Sequence, residues 1–154
     1  MKVDMYLEGN NNIFKNNFDT TQQKIMNKVI EATKMVEGDA KEYVVVNTGE
    51  LRGSIKGNVS KEEYKFVGKV GTNKVYAPFV EFGTGIIGNG TYPYEIDGID
   101  LKYKNKGWWY PAGEIGGKTI FKYTKGQVAK PFLHKALLKN KSKIKEMFKG
   151  LLGG

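Results

Sequence analysis

No cysteine occurs in the 154 residues, and histidine and arginine occur once each. Without thiols there can be no disulfide framework and no thiolate metal site. With His134 as the single imidazole, zinc centres and Cys-His or Ser-His-Asp constellations lack parts. Long hydrophobic runs are missing too, so no segment is long enough to span a bilayer. The polar start MKVDMYLEGNNN has no apolar stretch of the kind a secretion signal needs. These absences predict a soluble chain that works without a cofactor or metal ion.

The composition that remains, 40% hydrophobic and 27% charged, is that of a globular protein. Its length predicts one domain over 1–154 with a single ordinary core. The net charge of +9 is unevenly placed. Residues 1–50 carry 6 lysines against 8 acids, and residues 51–154 carry 19 cations against 8 acids. A basic half of this kind fits nucleic acid, an acidic protein neighbour or a solvated face. Arg52 is the only guanidinium, and lysine without arginine favours non-specific attraction over bidentate phosphate recognition.

The apolar period changes twice along the chain. Ile25, Val29, Ala32, Val36, Ala40 and Tyr43 recur at steps of three and four, predicting a helix over about 19–45. Ile55, Gly57 and Val59 alternate opposite Tyr64, Phe66, Gly68 and Val70, predicting a hairpin that turns at 60–63. Trp108–Tyr110 and Thr119–Tyr123 read as later strands. Pro131 opens a last helix over about 131–149, where its missing N–H is harmless. Leu133, Leu137, Ile144 and Phe148 form one face of that helix, and lysines cover much of the rest. The fold class predicted is α+β: a long N-terminal helix and a C-terminal helix packed on an antiparallel β-sheet. Residues 86–107 are expected to form a long irregular variable loop, and residues 150–154 a flexible tail.

Catalytic groups are hard to assemble from these residues. Asp97, Asp100 and Lys102 superficially match the carboxylate and lysine sets of metal-dependent nucleases. They lie in a glycine-bearing irregular stretch, and so short a pattern arises readily by chance. There is no phosphate-cradling glycine loop. The sequence therefore predicts a protein that is not an enzyme, and His134 a structural or surface residue.

Three blocks follow one another in a fixed order: NTGELRGSI at 47–55, VGTN at 70–73 running on to YAPFVEFGTG at 76–85, and TKGQVAKPFLHKAL at 124–137. In this order they resemble the gp10-like head–tail joining and tail-completion (neck) proteins of long-tailed bacteriophages. Asn47 departs from the aspartate common at that place, and the proline upstream of the block is absent. The motif residues are Thr48, Gly49, Leu51, Arg52, Tyr76, Pro78, Phe79, Glu81, Phe82, Gly83, Thr84, Pro131 and Phe132. Gly49 and Gly83 suit bends with positive φ. Glu81, set among aromatics, is expected to be held by Arg52 or by backbone N–H groups.

The resemblance implies a structural virion protein of the neck or tail terminus, assembled in the host cytoplasm. It implies a homo-oligomeric ring, a hexamer by that resemblance, that meets neighbouring connector and tail proteins and has DNA in its lumen. Candidate interface residues are Ile86, Ile87, Tyr92 and Tyr94 in the irregular loop, and Trp108, Trp109 and Tyr110 after it. Lys139, Lys143 and Lys145 on the last helix are candidates for an acidic partner. The alternative is a small basic nucleic-acid-binding protein that tracks phosphates with that helix.

Overall fold

A computed structural model describes residues 2–7, 18–45, 49–63 and 65–152. They fall into two compact units, one from residues up to Lys74 together with Phe132 onward, the other Val75–Pro131. The fold class is α+β as the sequence predicts, with a long first helix, a last helix and antiparallel strands in two small sheets.

The first unit begins with β1 (Lys2–Leu7), which the sequence reading did not foresee, and continues with α1 (Phe18–Tyr43). Val29, Ala32, Val36 and Ala40 are almost completely buried along one side of α1, the face that the three- and four-residue spacing predicts. The helix ends at Tyr43, two residues before the expected limit, where the β-branched run from Val44 begins. Val46, Asn47 and Thr48 lie outside the described residues. Gly49 adopts φ 78°, a left-handed conformation in which glycine pays no Cβ penalty, and leads into the short helix α2 (Glu50–Ser54).

Strands β2 (Lys56–Glu62) and β3 (Lys65–Gly71) form the expected hairpin, with Gly57 opposite Val70 and Val59 opposite Gly68. The strands run further than expected, because Ser60, Lys61 and Glu62 pair with Val67, Phe66 and Lys65. The turn is correspondingly tighter, and Glu63 in it takes φ 39°. β1 pairs with the other edge of β3, giving the order β1-β3-β2. Gly57 lies where α1 crosses β2: a Cβ there would come within 2.7 Å of Thr33 Cγ2. The bare backbone instead lets its N–H donate to Glu37 Oε2 at 2.8 Å.

The last helix, α5 (Leu133–Leu152), starts two residues later than Pro131 would have it. Phe132 accepts the first helical bond from the Ala136 N–H at 3.2 Å. Phe132, Leu133 and Ala136 are fully buried, and Ile144 and Phe148 nearly so, so the apolar stripe of α5 is core. α5 packs against α1. Lys139 donates to Asp39 at 2.8 Å, Asn140 donates to the other carboxylate oxygen, and Lys135 and Lys139 stand over the Tyr43 ring at 4.3 and 5.3 Å. Among the described residues no helix is long and apolar enough to cross a membrane.

This helix pair gives stability a pH dependence. Burial acts to raise the Asp39 carboxyl, but hydrogen bonds from Lys139 and Asn140 and the charges of Lys139 and Lys143 outweigh it, leaving the group below its ordinary value. A carboxyl with a depressed folded-state pKa stabilises the fold above its unfolded value, and that contribution disappears as pH falls through the folded one. Asp39→Asn is therefore expected to lower the melting temperature by a few degrees at about neutral pH and by progressively less as pH falls below the ordinary carboxyl range. Thermal melts of both proteins across that range check it; equal differences at both ends would contradict it.

Candidate functional site

The second unit is built around the aromatic motif. Pro78 sits in the first turn of α3 (Ala77–Phe82), where a missing N–H is tolerated, and the helix runs over most of the motif. Gly83 then turns the chain with φ 76°, and the short helix α4 (Gly85–Gly88) follows. Glu81 is 1% exposed. Arg52, in the other unit, is exposed.

Two of the three sequence blocks meet here. The segment 124–130, which includes the two-residue strand β6 (Gly126–Gln127), lies against the end of α3 and against α4. Thr84 bridges Gln127 and Gly85 bridges Gly126, both antiparallel. Gln127 Nε2 donates to the Phe79 carbonyl at 2.8 Å, the Lys130 N–H to the Val80 carbonyl at 2.8 Å, and the Ile87 N–H to the Lys125 carbonyl at 3.2 Å. Thr91 completes the tie, its hydroxyl donating to the Gly88 carbonyl and accepting from the Ala129 N–H. The contact is backbone on backbone, which explains why the motif needs Gly83: a Cβ there would fall 2.7 Å from Ala129 N. No apolar period announces such packing.

Of the loop expected over 86–107, residues 86–88 belong to α4; residues 89–107 form neither helix nor strand, and tyrosines fasten them to α3. Tyr92 packs edge-on against Phe82 at 5.0 Å and against Tyr94 at 5.5 Å, and the Tyr103 hydroxyl donates to the Phe82 carbonyl at 2.9 Å. Burial first, then the nearby Glu81 carboxylate, pushes the Tyr92 phenol well above its ordinary value. The phenol thus stays neutral across the physiological range.

Beyond this junction β4 (Trp108–Ile115) and β5 (Lys118–Thr124) form an antiparallel hairpin of their own, separate from the sheet of the first unit. The single sheet expected from both strand regions is thus two sheets. Trp109 faces Tyr123 and Pro111 faces Phe121 across the pair, with a register shift at the bulge between Pro111 and Gly113. Alternation puts Trp109, Phe121 and Tyr123 on one side of the ribbon. All three are more than half exposed, and the Trp109 and Tyr123 rings touch edge-on at 5.4 Å. Tyr110 and Ile115 are also exposed, while Trp108 is half-buried under the Lys104 ammonium. Ile86 and Ile87 on α4 are close to half exposed, Tyr92 and Tyr94 less so.

The remaining predicted residues divide by role. Leu51, Glu81 and Phe132 are buried, Pro78, Phe82, Thr84 and Pro131 half-buried, and Tyr76 and Phe79 exposed. Lys143 and Lys145 are exposed, whereas Lys139 is engaged by Asp39. Asp97 and Asp100 are exposed, and among the described residues no three His, Asp or Glu side chains gather as metal ligands would. His134 lies in the first turn of α5, where burial pushes its pKa down.

No curated protein and no solved structure matches this chain. Residues 14–83, from the approach to α1 through α3 to the Gly83 turn, match the family model described as "Bacteriophage HK97-gp10, putative tail-component". Over those 70 of its 154 residues, which carry the first two sequence blocks, the chain is similar to the HK97 gp10-like family of bacteriophage tail components.

Proposed function

We propose that the chain is a ring-forming subunit of the phage neck or tail terminus, six copies of which join or complete the head–tail connection. The whole of 1–154 acts as one functional unit in this reading, non-enzymatic and without cofactor. The observation that carries it is the hairpin: an aromatic ribbon face more than half exposed, in a chain whose residues 14–83 match a bacteriophage tail-component family. A two-stranded ribbon is marginal in water by itself, and an exposed aromatic patch marks an interaction surface. Exposed apolar groups on α4 add to the same surface. Other neck and tail proteins are the remaining partners, and the DNA in the lumen meets the basic face without base recognition.

Lys143 and Lys145 point outward on α5 and suit an acidic neighbour. The double reversal Lys143→Glu with Lys145→Glu leaves the buried stripe intact and is expected to keep the fold. It is expected to weaken docking to the adjoining phage ring about tenfold, as added salt does for the wild type. Electron microscopy of the purified chain, with pull-down of virion neck proteins, tests the reading. Rings or stacked rings support it. A chain that stays monomeric and shifts duplex DNA at moderate salt supports the basic nucleic-acid-binding alternative instead.

A further inference from the structure

The register of the β4–β5 ribbon sorts its side chains by charge. Residues 102–125 hold six lysines against Glu114 alone. Tyr110 pairs with Lys122 and Ile115 with Lys118, so these four side chains share one face of the ribbon. Trp108, two residues before Tyr110, belongs to the same face. The Lys104 ammonium stands 4.8 Å over its ring, which brings a third lysine to that side. The opposite face carries Trp109, Pro111, Phe121 and Tyr123, and the pairing of Glu114 with Thr119 places the ribbon's one carboxylate there as well. Lys104, Lys118 and Lys122 are exposed, and among the described residues none of them forms an ion pair. The other carboxylates of the second unit are Glu81, which is buried, and Glu95, Asp97 and Asp100, which line an open cavity bounded by residues 89–103.

A face with three lysines and no acid is complementary to a polyanion, and the ribbon sets those charges in a row. At about 3.4 Å per residue, Lys118 and Lys122 lie about 14 Å apart along β5, and Trp108 under Lys104 is about 7 Å further on. The row is about 20 Å long, the axial length of about six base pairs. We propose that this face of the β4–β5 ribbon is the surface on which the chain meets duplex DNA, through its phosphates and without reading bases. Lysine is a compact point charge that attracts phosphate without the bidentate register of arginine, so the contact is the same whatever sequence lies against it. Three such contacts are few, which keeps the attachment weak and salt-sensitive and lets a duplex move past. An acidic protein surface is the poorer occupant, because protein surfaces intersperse charges of both signs, whereas phosphates offer a row of this length an unbroken line of negative charge. The inference rests on the neck reading above, which puts DNA in the lumen. It separates the lysines that face DNA from Lys143 and Lys145 of α5, which suit an acidic neighbour.

Salt titration of duplex binding by the full-length chain tests it, with a labelled mixed-sequence duplex of about 20 base pairs as the probe and fluorescence anisotropy as the readout. Wild type is expected to bind at low salt with an affinity independent of base composition. Lys104→Gln, Lys118→Gln and Lys122→Gln together are expected to weaken binding at least about tenfold, and to make the slope of log K against log salt shallower by about 2.7, the value for three phosphate contacts. The pair Lys118→Gln with Lys122→Gln leaves the Lys104–Trp108 contact intact and is expected to make the slope shallower by about 1.8. Lys143→Gln with Lys145→Gln removes the same two charges from α5 and is expected to leave the slope unchanged. Circular dichroism confirms that each variant is folded. A wild type that does not bind the duplex at low salt overturns the proposal, as does an α5 pair that changes the slope as much as the ribbon pair. Binding of poly-glutamate that depends on the ribbon lysines as strongly as duplex binding does marks an acidic protein as the occupant, and also overturns it. Electron microscopy keeps the two readings apart. Rings whose duplex binding ignores the ribbon lysines overturn this surface alone, and a monomer that binds the duplex through them overturns the ring alone.

Discussion

Replacing Phe132 by alanine is expected to cost about 3–5 kcal/mol of folding stability, among the largest effects available to a single substitution here. Phe132 is fully buried, the largest such side chain, and it stands where the chain enters α5 beside the buried Leu133 and Ala136. Truncation loses the transfer energy of the ring and leaves a cavity that closely packed neighbours fill only in part. A domain of this kind has roughly 5–15 kcal/mol of stability in all, so the variant is expected to melt roughly 10 °C lower. Phe132→Leu, which keeps most of the volume, is expected to recover much of the loss. Phe79 belongs to the same set of motif residues but is 56% exposed. Phe79→Ala is therefore expected to change stability by about 0.5 kcal/mol or less. Equal losses at the two positions in thermal or denaturant unfolding would show that the burial pattern is misjudged.

Gly126→Ala is the second large effect. Gly126 adopts φ 107°, and an added Cβ would stand 1.8 Å from the Thr84 carbonyl oxygen and 2.5 Å from its carbon. Neither neighbour is a flexible side chain, so the two backbone segments must separate. The bridges from Thr84 and Gly85 to 126–127 are expected to be lost, at a cost of at least about 3 kcal/mol. Gly98 provides the control. It too has positive φ, 74°, but nothing lies within 4 Å of its Cβ position. Gly98→Ala carries conformational strain without collision and is expected to cost about 1 kcal/mol. Amide exchange around 83–88 and 125–130 should rise in the first variant and stay unchanged in the second. Similar behaviour of the two would mean that backbone conformation, and not close approach, explains the glycine at 126.

The contrast also marks what the sequence discloses. Helices α1 and α5 and the β2–β3 hairpin were legible because each buries one face, and burial imposes a period on the side chains. Helix α3 was not: six residues hold too few turns to show a period, although Pro78 in its first turn was an available signal. Strand β1 has the apolar alternation Val3, Met5, Leu7, but over six residues that pattern is weak evidence. The split into two sheets is invisible in the strands themselves, since each hairpin reads alike whether or not it joins the other. The junction of 83–88 with 124–130 is glycine backbone against backbone, and leaves no side-chain pattern to read. His134 and the Asp97–Lys102 stretch carried little chemical promise in the sequence. The role of Lys139 needed coordinates, because its partner Asp39 is 100 positions away.

That separation has a consequence for the order of events during synthesis. α1 leaves the ribosome early, with Val29, Ala32, Val36 and Ala40 awaiting cover, and α5 is translated only after the whole of 75–131. The core of the first unit is therefore closed late, by contacts among the most distant in the chain, which are slow to form. A copy whose translation stops inside 75–131 carries the hairpin region only in part and has no α5 over α1. Such a copy exposes an uncovered apolar helix face of the kind that chaperones and proteases act on. Building the first unit from two separated stretches of sequence thus ties closure of its core to synthesis of the last helix.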